Sequence, residues 1–402
     1  QVLPVNPADG YGSPYAGLAA FAGNTCLLEK DPEDVLAELK DADDDPDYQA
    51  FLEKNKYWLT PYATFRAIKD LLGEGPWQEW PDAYARFSPG LARRVELADG
   101  VDRHRKLQYE FQREWDELRA YANARGIKIV GDMPMYVSGD SADVWAERDI
   151  FELDERGYAQ VQAGCPGDGF DPEGQLWGNP TYRWDVLAAR GYDWWLARLE
   201  RAVETYDYVR LDHFIGFSSY YKIAKGKPAR EGSFSFGPGL DLFRAAYQKL
   251  GPLPFIAEDL GVITPAVRAL IAETGIPGMD IVQFSDGDVR EGYEPKPGTV
   301  TFTGTHDNQT LLGFCQSRFG LEGQEATQMA DRIAASVLAS KNDVAIMPLQ
   351  DVLGLDDAAR MNVPGVAEGN WSWQAAWEDV VAATGRLAQM AQASGRFREA
   401  SA

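Results

Sequence analysis

Apolar positions along the chain fall into two rhythms. Six short runs read as buried strands: Ile127-Lys-Ile-Val-Gly-Asp132, Tyr208-Val-Arg-Leu-Asp212, Pro254-Phe-Ile-Ala-Glu258, Asp280-Ile-Val-Gln-Phe284, Thr299-Val-Thr-Phe-Thr303 and Val344-Ala-Ile-Met-Pro348. The opening run, Gln1-Val-Leu-Pro-Val5, adds a seventh. Helical patterns lie between them. Asp31-Pro32-Glu33-Asp34 supplies an N-cap, a proline at the first helical position and acids in the first turn, which predicts a helix over about 32–42. Leu107, Phe111, Trp115 and Leu118 recur at helical spacing and predict a second over about 101–125, stopped by Gly126. Short apolar runs separated by helices indicate parallel strands with crossover connections, so the predicted class is α/β.

The spacing is uneven. About 100 residues separate the opening run from Ile127, and about 80 separate Asp132 from Asp212, whereas a plain βα unit needs roughly 30. Insertions are therefore expected at about 24–125 and 138–205. The second holds Gly164-Cys-Pro-Gly-Asp-Gly-Phe-Asp-Pro-Glu-Gly-Gln-Leu-Trp-Gly-Asn-Pro180, too rich in Gly and Pro to predict regular structure. Long loops in compact domains are usually functional, and Phe170 and Trp177 are its candidates for covering a cleft. Without repeats or linkers, residues 1–402 read as one domain carrying insertions.

Charge narrows the choice of partner. Against 39 Lys and Arg stand 62 Asp and Glu, a net charge of −23 that repels phosphate backbones and anionic lipid and argues against nucleic-acid or membrane binding. The apolar share, 45 %, suits a large folded core rather than disorder. No apolar run nears the roughly 18 residues of a bilayer span. Cys26, Cys165 and Cys315 are too scattered for a disulfide framework or a zinc site, which suits a reducing cytoplasm. The chain opens on Gln1 inside an apolar run and without a leader pattern, so a truncated start is expected.

Four predicted strands end at or near a carboxylate: Asp132, Asp212, Glu258 and Asp307. In a (β/α)8 barrel the carboxyl ends of all strands converge on one face, where such acids would meet. Two of the three histidines, His213 and His306, adjoin Asp212 and Asp307. Arg210 precedes Asp212 by two residues and so shares its side of the strand; a cation there favours an ionised, nucleophilic carboxylate. Glu258 follows Phe255-Ile-Ala257, and burial favours a protonated carboxyl able to act as an acid. An ionised acid beside a protonated one is the equipment of glycoside chemistry, and 12 Trp, 18 Tyr and 18 Phe offer faces for sugar rings. A lone acid at a strand end is more often a turn former or cap, the reading given to Asp259. His104 reads as solvated surface and Cys165 as packing.

At these residues the chain resembles the 4-alpha-glucanotransferases (amylomaltases, or disproportionating enzymes) of the alpha-amylase clan. The matching segments are Gly12-Ser-Pro-Tyr15 with Phe21-Ala-Gly-Asn24, Gly131-Asp-Met-Pro-Met-Tyr-Val137, Gly174-Gln-Leu-Trp-Gly-Asn-Pro-Thr-Tyr182, Val209-Arg-Leu-Asp-His-Phe214, Ile256-Ala-Glu-Asp-Leu-Gly-Val262, Thr303-Gly-Thr-His-Asp-Asn308, and Ala359-Arg-Met-Asn-Val-Pro-Gly365 with Gly369-Asn-Trp-Ser-Trp373. The resemblance implies a (β/α)8 barrel with helical and loop insertions whose first strand would precede Gln1. It also implies a retaining double displacement with Asp212 as nucleophile, Glu258 as general acid/base and Asp307 as the carboxylate gripping the donor sugar. Tyr15, Asp132, Trp177, Arg210, His213, His306 and Asn370 would bind substrate, the partners would be alpha-1,4-glucans and maltooligosaccharides, and no cofactor or metal is implied. Ile215, Gln309, Gly169 and Gln374 stand where the family usually carries Arg, Asp, an aromatic and Arg. A hydrolase using the same acids and a catalytically dead glucan-binding protein are the other readings.

Overall fold

A computed structural model describes residues 1–10, 12–167, 173–366 and 368–397; Gly169 and Phe170 lie outside them. The chain forms two compact units, Gln1–Phe255 with Ile263–Thr274, and Ile256–Val262 with Gly275–Ala402.

In the first unit the long gap ahead of Ile127 is helical. Helix α1 (Pro32–Glu38) starts as predicted, with Asp31 accepting the Glu33 N–H, but closes at Glu38, and Ala42–Asp44 forms a separate 3-10 turn. Helix α2 (Pro46–Leu72) buries Tyr48, Phe51, Trp58, Phe65 and Ile68 and packs along α3 (Ala98–Asn123). Leu107 and Phe111 of the predicted stripe are buried, whereas Leu118 is exposed. Past the end of α3, Gly126 takes a positive φ of 73°. His104 is not solvated surface: its side chain is 11 % exposed and its Nε2 lies 2.7 Å from Asp70, carried on α2.

Strand β1 (Val130–Met133) follows, then α4 (Ala142–Ala146). The Gly- and Pro-rich segment differs from expectation. Val161–Cys165 and Gln175–Pro180 are strands, β2 and β3, paired antiparallel with Cys165 opposite Gln175. Gly164 permits the pairing, because a Cβ there would stand 2.1 Å from the Gln175 carbonyl oxygen. After α5 (Trp184–Ala189) and α6 (Asp193–Thr205) comes β4 (Tyr208–Leu211), parallel to β1 with Asp132 opposite Arg210. Tyr206 packs so closely on β1 that a Cβ on Gly131 would sit 2.2 Å from its ring. The opening run is not a strand, since Pro4 lacks an N–H for a ladder; Val2 donates to the Val130 carbonyl at 2.9 Å, beside β1. Strands β5 (Ser219–Ala224) and β6 (Ser233–Phe236) complete an antiparallel sheet in the order β3-β2-β5-β6. Helix α7 (Leu240–Leu250) leads into β7 (Phe255–Ala257), of which Phe255 belongs to the first unit and Ile256 and Ala257 to the second. Helix α8 (Pro265–Thr274) belongs to the first unit.

In the second unit Ala257 donates to the Pro277 carbonyl at 2.8 Å. Strands β8 (Met279–Ile281) and β9 (Val300–Phe302) run parallel, and the predicted strand through Phe284 stops early in a 3-10 turn, Val282–Phe284. Helices α9 (Leu311–Phe319) and α10 (Gly323–Leu338) precede β10 (Ala345–Ile346), which is parallel to β9. Val282, Leu311, Cys315, Ile333 and Val337 form the core here. Helices α11 (Leu349–Leu353) and α12 (Trp377–Ala393) finish the unit.

Candidate active site

The first unit joins four of the predicted residues into one charged chain. Alternation puts Arg210 and Asp212 on the same side of β4, and the parallel register brings Asp132 beside them. Arg210 Nη1 donates to Asp132 Oδ1 at 2.8 Å, to Asp132 Oδ2 at 2.9 Å and to Asp212 Oδ1 at 2.9 Å. Tyr15 donates its phenolic O–H to Asp132 Oδ2 at 2.7 Å, from a 3-10 turn capped by Ser13. Burial, then the nearby Asp132 charge, push the Tyr15 phenol well above its ordinary range, so it stays a donor at neutral pH. Asp132 is wholly enclosed, with a side-chain exposure of 0 %, while Asp212 keeps 25 %. The inner carboxylate therefore fixes the guanidinium and the outer one faces accessible space.

Next to Asp212 the backbone turns left-handed at His213, with φ 48° and ψ 47°. That turn sends the chain through Phe214–Phe217 into β5. The sheet carrying β5 brings Trp177 back, with its ring edge-on to the His213 imidazole at 5.0 Å and Tyr136 6.1 Å away. Trp177 donates Nε1–H to Gln175 Oε1 at 3.0 Å. Burial pushes the His213 imidazole down to about 4, against a smaller opposing pull from Asp212, so it is neutral at pH 7.

In the second unit Glu258 follows the end of β7, buried, with Oε1 accepting the Leu260 N–H at 2.9 Å. Asp259 acts as a tie: Oδ1 accepts the Met279 N–H at 2.7 Å and fastens this turn to β8. Beyond β9, His306 Nε2 lies 3.3 Å from Asp307 Oδ2, and Asn362 donates to Asp307 Oδ1 at 2.6 Å. Arg360 donates to the Asp307 carbonyl at 2.5 Å. Trp371, held at a positive φ of 61° by its N–H bond to the Met361 carbonyl, places its ring 5.7 Å from His306. Asn370 is engaged by its own loop, accepting from Val363 at 2.9 Å and donating to the Val366 carbonyl at 2.7 Å.

Asn362, Arg360, Trp371 and Tyr136 were assigned no role by sequence reasoning. Their segments carry the family-like motifs, but pairing across more than forty residues leaves no local pattern. Gln309 has a physical account: its Nε2 donates to Asp357 Oδ2 at 2.6 Å, where an aspartate would set two carboxylates against each other.

Strand-end carboxylates on an α/β fold, one of them ion-paired and another buried, are the kind of groups that glycoside chemistry uses. A sequence profile for 4-alpha-glucanotransferases, glycoside hydrolase family 77, matches residues 33–379. The 4-alpha-glucanotransferase of Thermus thermophilus is 38 % identical, with 99 % of this chain and 91 % of that protein aligned. That of Streptococcus pneumoniae is 39 % identical over 93 % of this chain and 85 % of its own length. Among solved structures, an amylomaltase from Streptococcus agalactiae in complex with acarbose superposes with a TM-score of 0.87 at 32 % identity, covering 99 % of this chain and 92 % of the other. This chain belongs to the 4-alpha-glucanotransferase family.

Proposed function

We propose that the protein transfers alpha-1,4-glucan segments between maltooligosaccharides by a retaining double displacement. The proposed architecture is a (β/α)8 catalytic barrel with insertions at about 24–125 and 138–205. The observation that carries the reading is the Arg210–Asp212 pair backed by Asp132, in a chain of this family. Asp212 attacks the anomeric carbon of the donor sugar while Glu258 protonates the departing oxygen. The glycosyl-enzyme is then resolved by an acceptor hydroxyl from which Glu258 removes the proton. Arg210 favours the ionised form of Asp212 that attack requires. Asp307, steadied by Asn362, and His306 hold donor hydroxyls, with Trp371 beside His306. Trp177 and the neutral His213 provide the stacking wall, and Tyr15 and Asp132 reach the sugar subsite through Arg210. Asn370 is assigned to substrate binding as well.

No step calls on a metal, nucleotide or redox group. We place the enzyme in the cytoplasm, on its scattered cysteines; among the described residues no helix is long and apolar enough to cross a membrane. The test is incubation with maltotriose and separation of the products. Transfer gives glucose and a ladder of longer maltooligosaccharides with little new reducing sugar. A rapid net rise in reducing ends identifies a hydrolase, and no turnover by folded protein a binding protein.

A further inference from the structure

In the second unit, the loop between β9 and α9 carries His306 and Asp307, and its two feet are tied together. The feet are Thr303, next after β9, and Leu311, the first residue of α9. Asp351, buried on α11, joins them with one carboxylate: Oδ2 accepts the Thr303 hydroxyl at 2.6 Å and Oδ1 accepts the Leu311 N–H at 2.7 Å. Gln283 makes a second tie, donating from Nε2 to the Thr303 carbonyl at 3.0 Å and to the Gln309 carbonyl at 2.9 Å. Asp357 holds the α9 side alone, accepting the Thr310 N–H at 3.0 Å and the Gln309 amide at 2.6 Å.

Helix capping does not account for Asp351. Helix α9 already has its cap in Thr310, whose hydroxyl accepts the Gly313 N–H at 3.1 Å. Thr303, moreover, stands at the other end of the loop and is fully buried. A carboxylate presents two acceptor oxygens, one for each foot, whereas the amide of asparagine presents one. Burial pushes the Asp351 carboxyl up to about 6, against the pull of both hydrogen bonds, so a charge is held in the interior at a cost in free energy. Within the loop, Asn308 accepts the Thr305 N–H and hydroxyl, each at 2.9 Å, so a shift of the feet is carried to Asp307 beside it.

We propose that Asp351 is a positioning residue: by joining the two feet of this loop it fixes where His306 and Asp307 stand and so governs the grip on the donor sugar, an assignment that rests on the functional reading above. Calorimetric titration of maltotriose into the Asp212→Asn protein, where turnover is stopped, tests this, with thermal unfolding run on each variant. Asp351→Ala should weaken binding about fivefold or more in that protein, but less than about twofold when Asp307→Asn is also present, because the group it positions is then already impaired. Asp351→Asn, whose amide still accepts from Leu311 and donates to the Thr303 oxygen, should recover most of the lost affinity. A merely structural role would lower the melting temperature and weaken binding by the same factor in both backgrounds.

Equal factors therefore overturn the proposal, as does unchanged binding by Asp351→Ala. Should Asp351→Ala fail to fold, Thr303→Val, which keeps the side-chain shape and removes one tie, takes its place and should show the same dependence on Asp307. If Asp307→Asn by itself leaves maltotriose binding unchanged, the donor-gripping role of Asp307 falls and this proposal with it. A loss from Asp307→Asn with none from Asp351→Ala overturns this proposal alone.

Discussion

Arg210 and Asp132 meet through both carboxylate oxygens, at 2.8 and 2.9 Å, and the same Nη1 reaches Asp212 at 2.9 Å. The orientation of the cation beside the proposed nucleophile is thus set by a carboxylate with no exposed side-chain surface. Asp132→Asn weakens a charge-assisted bond of about 1.5–3 kcal/mol, which should lower kcat by roughly 10–100-fold with a much smaller change in KM. Steady-state kinetics on maltotriose check this; a change in KM alone would mean that Asp132 contacts sugar directly.

Asp212→Asn keeps the shape of the side chain and removes the oxygen anion proposed to attack. Turnover should fall by several orders of magnitude while maltotriose still binds. Calorimetry beside product analysis separates the two effects, and substantial residual transfer would remove Asp212 from its role.

His213 gives the fold a pH signature. Unfolded, its imidazole takes a proton near 6.5; folded, burial delays protonation to about 4. Between those values the unfolded state binds more protons, so this residue's contribution to stability is complete above about pH 7 and falls as pH drops through the window, by at most about 3 kcal/mol. Urea unfolding at pH 7 and pH 4.5 should show a smaller drop for His213→Gln than for the unmutated protein. Equal drops would mean that His213 is not shielded from water.

Trp177, edge-on to His213 at 5.0 Å, is the ring proposed to stack on an acceptor sugar. Aromatic contacts of this kind contribute about 0.5–1.5 kcal/mol, so Trp177→Ala should reduce transfer by up to about tenfold and hydrolysis less. Parallel loss of both rates would limit this ring to packing.

The strand-end acids were legible in sequence because short apolar runs between helices have few other solutions, and all six internal runs contain strand. Much of what surrounds the acids was not. Gly164 reads as a loop former, yet it serves a strand pairing that only a missing Cβ allows. His104 looks solvated until α2 supplies Asp70 thirty-four residues away. Asp307 was found, but its partner Asn362 lies fifty-five residues downstream, and no periodicity spans that distance. The reach of Asp132 was legible only in part: its strand position is visible, whereas its complete burial depends on Tyr15 and Arg210 closing over it.

The most direct test of the mechanism is to trap the glycosyl-enzyme. Glu258→Gln cannot protonate a departing sugar, but fluoride leaves without a proton, so maltotriosyl fluoride should still load Asp212 and the amide should slow release. Mass spectrometry after proteolysis should find the peptide containing Asp212 heavier by one maltotriosyl group. An unmodified Asp212 peptide, or the sugar on another residue, would contradict the account.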